Sequence, residues 1–277
     1  MRVTVLGKSP AYTDAGGACS GYLVEEDGTV VVLDCGNGVF GKLRRFVDYC
    51  AVDAVVISHL HADHFLDLVP FSYGLIYAPR QQPVPVDRWP GTKHPSRPTL
   101  HAPKGAIDVF KRVTGAWGDE ELILKAFDVR EYETRDELEI GPFHVRFHQV
   151  PHFLPNTNAV EFRSTGTGAR LVYGADHAPT AELVDFARDA DLLLIEATLP
   201  RPERDGVRGH ITPHEAGEHA RRANVKRAVL VHISDELDRL WAEDCASKAF
   251  GAPVSVAEEG DVFDLAPAPA SARDAAG

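Results

Sequence analysis

The string His59-Leu60-His61-Ala62-Asp63-His64 gathers three imidazoles and a carboxylate within six residues, directly after the apolar run Ala54-Val55-Val56-Ile57-Ser58. Polar groups at the end of a buried strand need partners. Neutral imidazole nitrogens and carboxylate oxygens are the donors that a zinc-type ion prefers. A tight turn lets residues 59 and 61 face one point while 63 and 64 face another. The competing reading is a solvated, polar helix start, and HxHxDH after an apolar strand is far more specific than a lone histidine pair.

Thirteen histidines in 277 residues supply further donors, and each candidate follows a segment that reads as a strand. His152 follows Val145 to Val150, Asp176 follows Leu171 to Tyr173, and His232 follows Ala228 to Val231. His144 and His148 lie on one face of the strand Phe143 to Val150 by period-2 alternation, so they read as ordinary sheet residues. His152 lies beyond that strand, in a loop able to turn toward the site.

The elements that must hold these residues come in two rounds of strands followed by helices. The first round has strands Arg2 to Leu6, Tyr22 to Glu25 and Thr29 to Leu33, with a turn at Asp27-Gly28. A helix Val39 to Asp48, the run Ala54 to Ser58 and a helical pattern Phe65 to Tyr77 follow. Arg80 to Pro98, rich in proline, reads as a loop; its Arg88, Trp89, Lys93 and Arg97 would either cover the site as a lid or belong to a rigid surface loop. Helical stretches Lys104 to Val113 and Asp119 to Phe127 lead to the second round. Its strands are Val129 to Tyr132, Glu137 to Ile140, Phe143 to Val150, Asn158 to Arg163 and Arg170 to Tyr173. Helix Ala181 to Ala190, strand Leu192 to Ile195, helix Pro213 to Arg222, strand Ala228 to Val231 and helix Glu236 to Phe250 complete it. Thr212, Pro213 and Glu215 form a capping-box start, and Asn224 suits a left-handed stop. Two sheets packed face to face with helices outside is the expected arrangement, with residues 1–265 as the domain and 266–277 (APAPASARDAAG within the tail after Leu265) as a disordered tail.

With these motifs in hand, the sequence resembles the metallo-β-lactamase superfamily of metal-dependent hydrolases over nearly the whole chain. The resemblance implies an α/β fold, a four-layer αββα sandwich with a two-metal site at the strand ends. It implies His59, His61 and His152 as ligands of one ion, Asp63, His64 and His232 as ligands of the other, and Asp176 as the bridge. Asp34, in LDCGNG, resembles the family's early aspartate and is expected to orient the His59 turn without binding metal. Glu196-Ala197-Thr198 and Gly209-His210-Ile211-Thr212 resemble the paired motifs of the ribonuclease Z-like branch, in which a glutamate orients a histidine near the scissile phosphate. Asp63, His210 and Glu196 are thereby the expected catalytic residues. His177, after the expected bridge, stands where threonine is common in relatives, and its role stays open. CSGYLVEEDG, the GHITPHEAGEHA helix and VLVHIS look similar to small phosphodiesterases of this superfamily, including ones acting on cyclic nucleotides.

The implied cofactors are two divalent metal ions, zinc favoured for the imidazole-dominated donor set, with manganese or iron(II) as alternatives. The implied reaction is attack by a metal-bridging hydroxide on a small phosphodiester, with His210 helping the leaving group. Acyl hydrolysis (lactonase, thioesterase or β-lactamase-like) and tRNA 3′ processing are the rival activities, and a non-catalytic scaffold ranks last. The chain carries 41 acidic against 29 basic residues, a net charge of −12, which is a poor footprint for long nucleic acid. Only 23 residues separate His152 from Asp176, where the tRNA-processing enzymes carry a long arm. No signal or membrane-spanning segment is read, and four scattered cysteines suggest free thiols, so a cytoplasmic location without a membrane partner is expected. A homodimer is suggested by the resemblance alone.

Overall fold

The computed structural model describes residues 1–84, 88–89, 91–203 and 205–265, so the expected tail at 266–277 lies outside the described residues. In β1 (Arg2–Gly7), β2 (Gly21–Glu26), β3 (Thr29–Leu33) and β4 (Ala54–Val56), successive side chains point to opposite faces, and both faces are apolar. Tyr22, Val24, Val31, Leu33, Ala54 and Val56 enter one cluster, while Leu23, Val32 and Val55 enter another. A sheet that is apolar on both sides must be covered on both. β5 (Thr99–Pro103), β6 (Asp128–Tyr132) and β14 (Val262–Asp264) complete this sheet in the order β14-β1-β2-β3-β4-β5-β6. Its outer face is covered by α1 (Val39–Leu43), α3 (Leu68–Tyr77), α4 (Ala106–Gly115) and α5 (Leu122–Ala126), through Phe40, Leu68, Phe71, Phe110 and Ile123. Between β4 and α3 stands the single-turn α2 (Ala62–Phe65).

The second sheet consists of β7 (Glu137–Ile140), β8 (Phe143–Gln149), β9 (Asn158–Ser164), β10 (Arg170–Tyr173), β11 (Leu192–Glu196), β12 (Ala228–Val231) and β13 (Ser255–Val256). Its order is β13-β12-β11-β10-β9-β8-β7. Phe143, Val145, Val160, Leu171, Leu194 and Val229 meet the first sheet, whereas Val172, Leu193, Ile195 and Leu230 meet α6 (Ala181–Phe186), α7 (Pro213–Arg222) and α8 (Arg239–Phe250). The layers are therefore helix, sheet, sheet and helix, the expected αββα sandwich. The run β3-β4-β5-β6 is parallel, as is β10-β11-β12-β13, so these strands end at common edges.

Several boundaries differ from expectation for local reasons. The helix expected over 39–48 stops at Leu43, and the pattern over 65–77 is broken at Leu66-Asp67. Asp67 accepts a hydrogen bond from the Phe40 amide at 2.8 Å, tying the two helices together at that break. α7 starts and ends as expected, with the complete capping box of Thr212 and Glu215 and Asn224 at φ 53°. No helix among the described residues is long and apolar enough to cross a membrane.

Candidate metal centre

The candidate ligands stand just beyond strand ends, Asp63 and His64 in the single-turn α2 and the others in loops, and three loops at this edge turn through a left-handed residue that is not glycine. Asp34 after β3 has φ 56°, Ala175 before Asp176 has φ 53°, and His232 after β12 has φ 48°. Such corners cost roughly 1–3 kcal/mol each and persist only where the surroundings fix them. Gly36 is needed for a different reason: a Cβ there would lie 1.9 Å from the Asp63 carbonyl oxygen, so only glycine lets the 34–38 loop press against α2.

Two groups of donors converge. His59 Nε2 and His152 Nε2 lie 3.2 and 3.1 Å from His61 Nδ1, and both lie 3.9 Å from Asp176 Oδ2. The same Asp176 oxygen is 3.4 Å from His64 Nε2 and 3.2 Å from His232 Nε2, while Asp63 Oδ2 is 3.4 and 3.2 Å from those nitrogens. All seven residues singled out in the sequence are thus brought together in two clusters that share Asp176. Metal–nitrogen bonds of about 2.0–2.1 Å at tetrahedral angles separate ligand atoms by roughly 3.3 Å, close to the spacing of the three imidazoles. His64 Nε2 and Asp176 Oδ1 are buried without a hydrogen-bond partner, which a cation would supply. The residues present therefore fit two divalent ions.

The other ring nitrogens are held from behind, which fixes each ring. His64 Nδ1 is 2.7 Å from Asp34 Oδ2, and His59 Nδ1 is 3.1 Å from Ser58 Oγ, whose hydroxyl donates to the same Asp34 oxygen at 2.7 Å. Asp34 thereby orients His64 directly and His59 through Ser58. His152 Nδ1 donates to the Gly209 carbonyl at 2.8 Å. His232 Nδ1 is 2.8 Å from Thr198 Oγ1, which lies 2.7 Å from Glu196 Oε2. With the Thr198 hydroxyl donating to Glu196, His232 donates from Nδ1 to Thr198 Oγ1 and leaves Nε2 bare toward Asp63 and Asp176.

Burial and the side-chain charges together favour the ligating protonation states at His59, His61, His152, Asp63 and Asp176, and the protonated imidazole at His64. Burial pushes the His59, His61 and His152 imidazoles down, keeping them neutral. Burial opposes ionisation of Asp63 and Asp176, but their histidine partners outweigh it and hold both carboxyls below the usual range. Burial likewise pushes His64 down, yet Asp176 and Asp34 overcome it and raise it.

Glu196, fully buried, stands behind this centre. Its Oε1 accepts from the His177 amide at 2.7 Å and lies 3.0 Å from His210 Nδ1, and its Oε2 accepts from the Ile211 amide at 3.2 Å. Burial lowers the His210 imidazole, but the hydrogen bond and charge of Glu196 prevail and push it up to about 9. The His210 ring is stacked 5.5 Å from the His232 ring and meets the His152 ring edge-on at 5.0 Å. His177 is a buried residue beneath the site, with its ring 5.6 Å from His219. His144 pairs with Glu137, and His148 stacks on Phe186 at 5.3 Å, both outside the clusters. Sequence reasoning did not single out Ser58 or assign Thr198 a role of its own; both are small hydroxyls whose role exists only across the fold.

The loop over 80–98 does not bear out the lid reading among its described residues. Arg80 pairs with Asp48, Ser96 donates to the Cys50 carbonyl at 2.8 Å, and Arg97 donates to the carbonyls of Leu124 and Phe127 at 3.0 Å. The loop leads into the start of β5, whereas the clusters lie beyond the C-terminal end of the parallel neighbour β4. Strand polarity puts the two at opposite edges. Pro85, Val86, Asp87 and Pro90 lie outside the described residues.

Comparison with known proteins agrees with this fold. Residues 29–233 match the family described as the beta-lactamase superfamily domain. An uncharacterized protein of Mycobacterium leprae is 33% identical, covering 96% of this chain and 89% of its own length. A ribonuclease Z of Natronomonas pharaonis is 29% identical, covering 96% and 98%. The crystal structure of the metallo-beta-lactamase fold protein YhfI from Bacillus subtilis aligns with a TM-score of 0.79 at 25% identity, covering 95% of this chain and 99% of that one. The clusters at the strand ends, the four layers and the matched residues together make this chain a metallo-hydrolase of the β-lactamase superfamily, similar to its ribonuclease Z-like branch.

Proposed function

We propose that the protein is a two-metal phosphodiesterase of small substrates, cyclic nucleotides among them. The observation that carries this reading is the Glu196–His210 pair set against the second cluster. His59, His61 and His152 would hold one ion, Asp63, His64 and His232 the other, and Asp176 both; five of these seven donors are imidazoles, which favours zinc, with manganese or iron(II) also compatible. Such ions supply charge at the phosphoryl oxygens and acidify a water. Asp63, ionised beside His64 and His232, is placed to accept the proton that the attacking water would give up. His210, kept protonated by Glu196, holds the proton that the departing alkoxide needs, at the Nε2 that Glu196 leaves free.

The RNA-processing activity named for the Natronomonas relative is less well supported here. The interval from His152 to Asp176 is taken up by β9, a short turn and β10, which leaves no length for a substrate-grasping arm there. Free cysteines fit a reducing compartment such as the cytoplasm. Metal analysis of the purified protein together with a panel of cyclic nucleotides, aryl phosphodiesters, lactones, aryl esters and pre-tRNA tests the reading. About two ions per chain and preferred turnover of the small phosphodiesters are expected. Preference for lactones or aryl esters would overturn it.

A further inference from the structure

We propose that Phe153 is the platform on which the aromatic part of the substrate, a nucleobase or an aryl group, stacks beside the metal centre; this rests on the phosphodiesterase reading and extends it to substrate choice. Phe153 follows His152 directly, and its ring centroid lies 4.8 Å from the His152 ring and 5.8 Å from the His210 ring. Half of the side chain is nevertheless open, at 50% exposure. Among the exposed aromatic side chains of the described residues, it is the one with ring contacts to histidines of the centre.

The position of the ring is built in. A Cβ on Gly209 would lie 2.3 Å from Phe153 ring carbons, so the ring occupies the space that a side chain there would take. The Gly209 carbonyl also accepts from His152 Nδ1, so one residue seats the aromatic ring and fixes the histidine. The loop is pinned at both ends: the Val150 amide donates to Thr157 at 2.9 Å, and the Ala178 amide donates to Pro151 at 2.7 Å. A large apolar face held rigidly beside a polar centre is a ready stacking surface, since little freedom remains to be lost when a ligand ring covers it. Stacking on one aromatic side chain accepts any base, so this predicts affinity for aromatic groups without choice among bases.

Equilibrium binding of adenosine 5′-monophosphate and of ribose 5-phosphate to the zinc-loaded protein tests the inference, because the two share the phosphate and differ in the base. The wild type should bind the nucleotide about 10-fold more tightly. Phe153→Ala and Phe153→Leu should remove that preference while leaving ribose 5-phosphate affinity unchanged, and Phe153→Trp should restore it. Equal affinity of the wild type for both ligands, an unaltered preference in Phe153→Leu, or equal losses for both ligands in Phe153→Leu would each overturn it. Phosphodiester turnover by the wild type is read separately. Its absence would sink the enzymatic reading, while the base preference would still decide the role of Phe153.

Discussion

His210 sits under opposing pressures, burial against its charge and the Glu196 carboxylate in favour, and the carboxylate prevails. Because the imidazole is raised to about 9, the pair contributes fully to stability below the ordinary histidine range near 6.5 and loses that contribution as pH rises through about 9. In the metal-free protein the His210 ring should therefore titrate near 9 by NMR, and Glu196→Gln should bring it down; no change on that substitution would remove Glu196 as the cause. His210→Ala should leave metal content intact and lower kcat roughly 10²-fold on substrates with poor leaving groups, with a smaller loss on good ones. Of His148, within β8, and His152, in the loop beyond it, His152→Ala should deplete metal, whereas His148→Ala should leave it in place, because His148 stacks on Phe186 outside the clusters. Elemental analysis decides between them. The ligating types were legible in the sequence because imidazoles and carboxylates after strands are rare without a purpose. Thr198 and Ser58 were less legible, since hydroxyls are common and their task depends on His232, 34 residues away, and on Asp34.

At the scale of elements, the strands that showed themselves are those with long alternating or continuous apolar runs. β5 stayed hidden because Thr99-Leu100-His101-Ala102-Pro103 mixes a buried histidine and a proline into five residues, and β13 and β14 are only two and three residues long. Their pairing comes from neighbours rather than from their own pattern. α7 was legible to the residue because its capping box is a local signal, and that box also bears on chemistry. Its first turn follows directly on the segment bearing His210, where Ile211 donates to Glu196. Thr212→Ala leaves the Glu215 amide without its side-chain acceptor and should cost about 1 kcal/mol of stability by denaturant titration. It should also lower kcat, by loosening the approach of His210 to Glu196. Loss of stability with unchanged kcat would show that the helix start does not hold the histidine.

The whole molecule gathers the two donor clusters at one end of the sheets, and that polarity bears on the loop over 80–98, which the sequence left open between a lid and a rigid surface loop: its cationic and aromatic residues suggest a grip on substrate, but the chain leads from them into the starting edge of β5. It also bears on substrate size. A net charge of −12 repels a long polyanion, and association with such a partner normally rests on released counterions, so that affinity falls steeply as salt rises. A small diester needs only the local positive charge of the centre and is indifferent to the distant acidic surface beyond a Debye length of about 8 Å at physiological salt. The expected outcome is that kcat/KM for cyclic nucleotides and aryl phosphodiesters exceeds that for pre-tRNA trimming at physiological salt, and that the trimming rate stays flat or rises as salt is added, because screening relieves repulsion. Efficient 3′ trimming that collapses with added salt would instead reveal a local basic surface strong enough to override the overall charge, and would move the protein from the small-diester reading to the RNA-processing one.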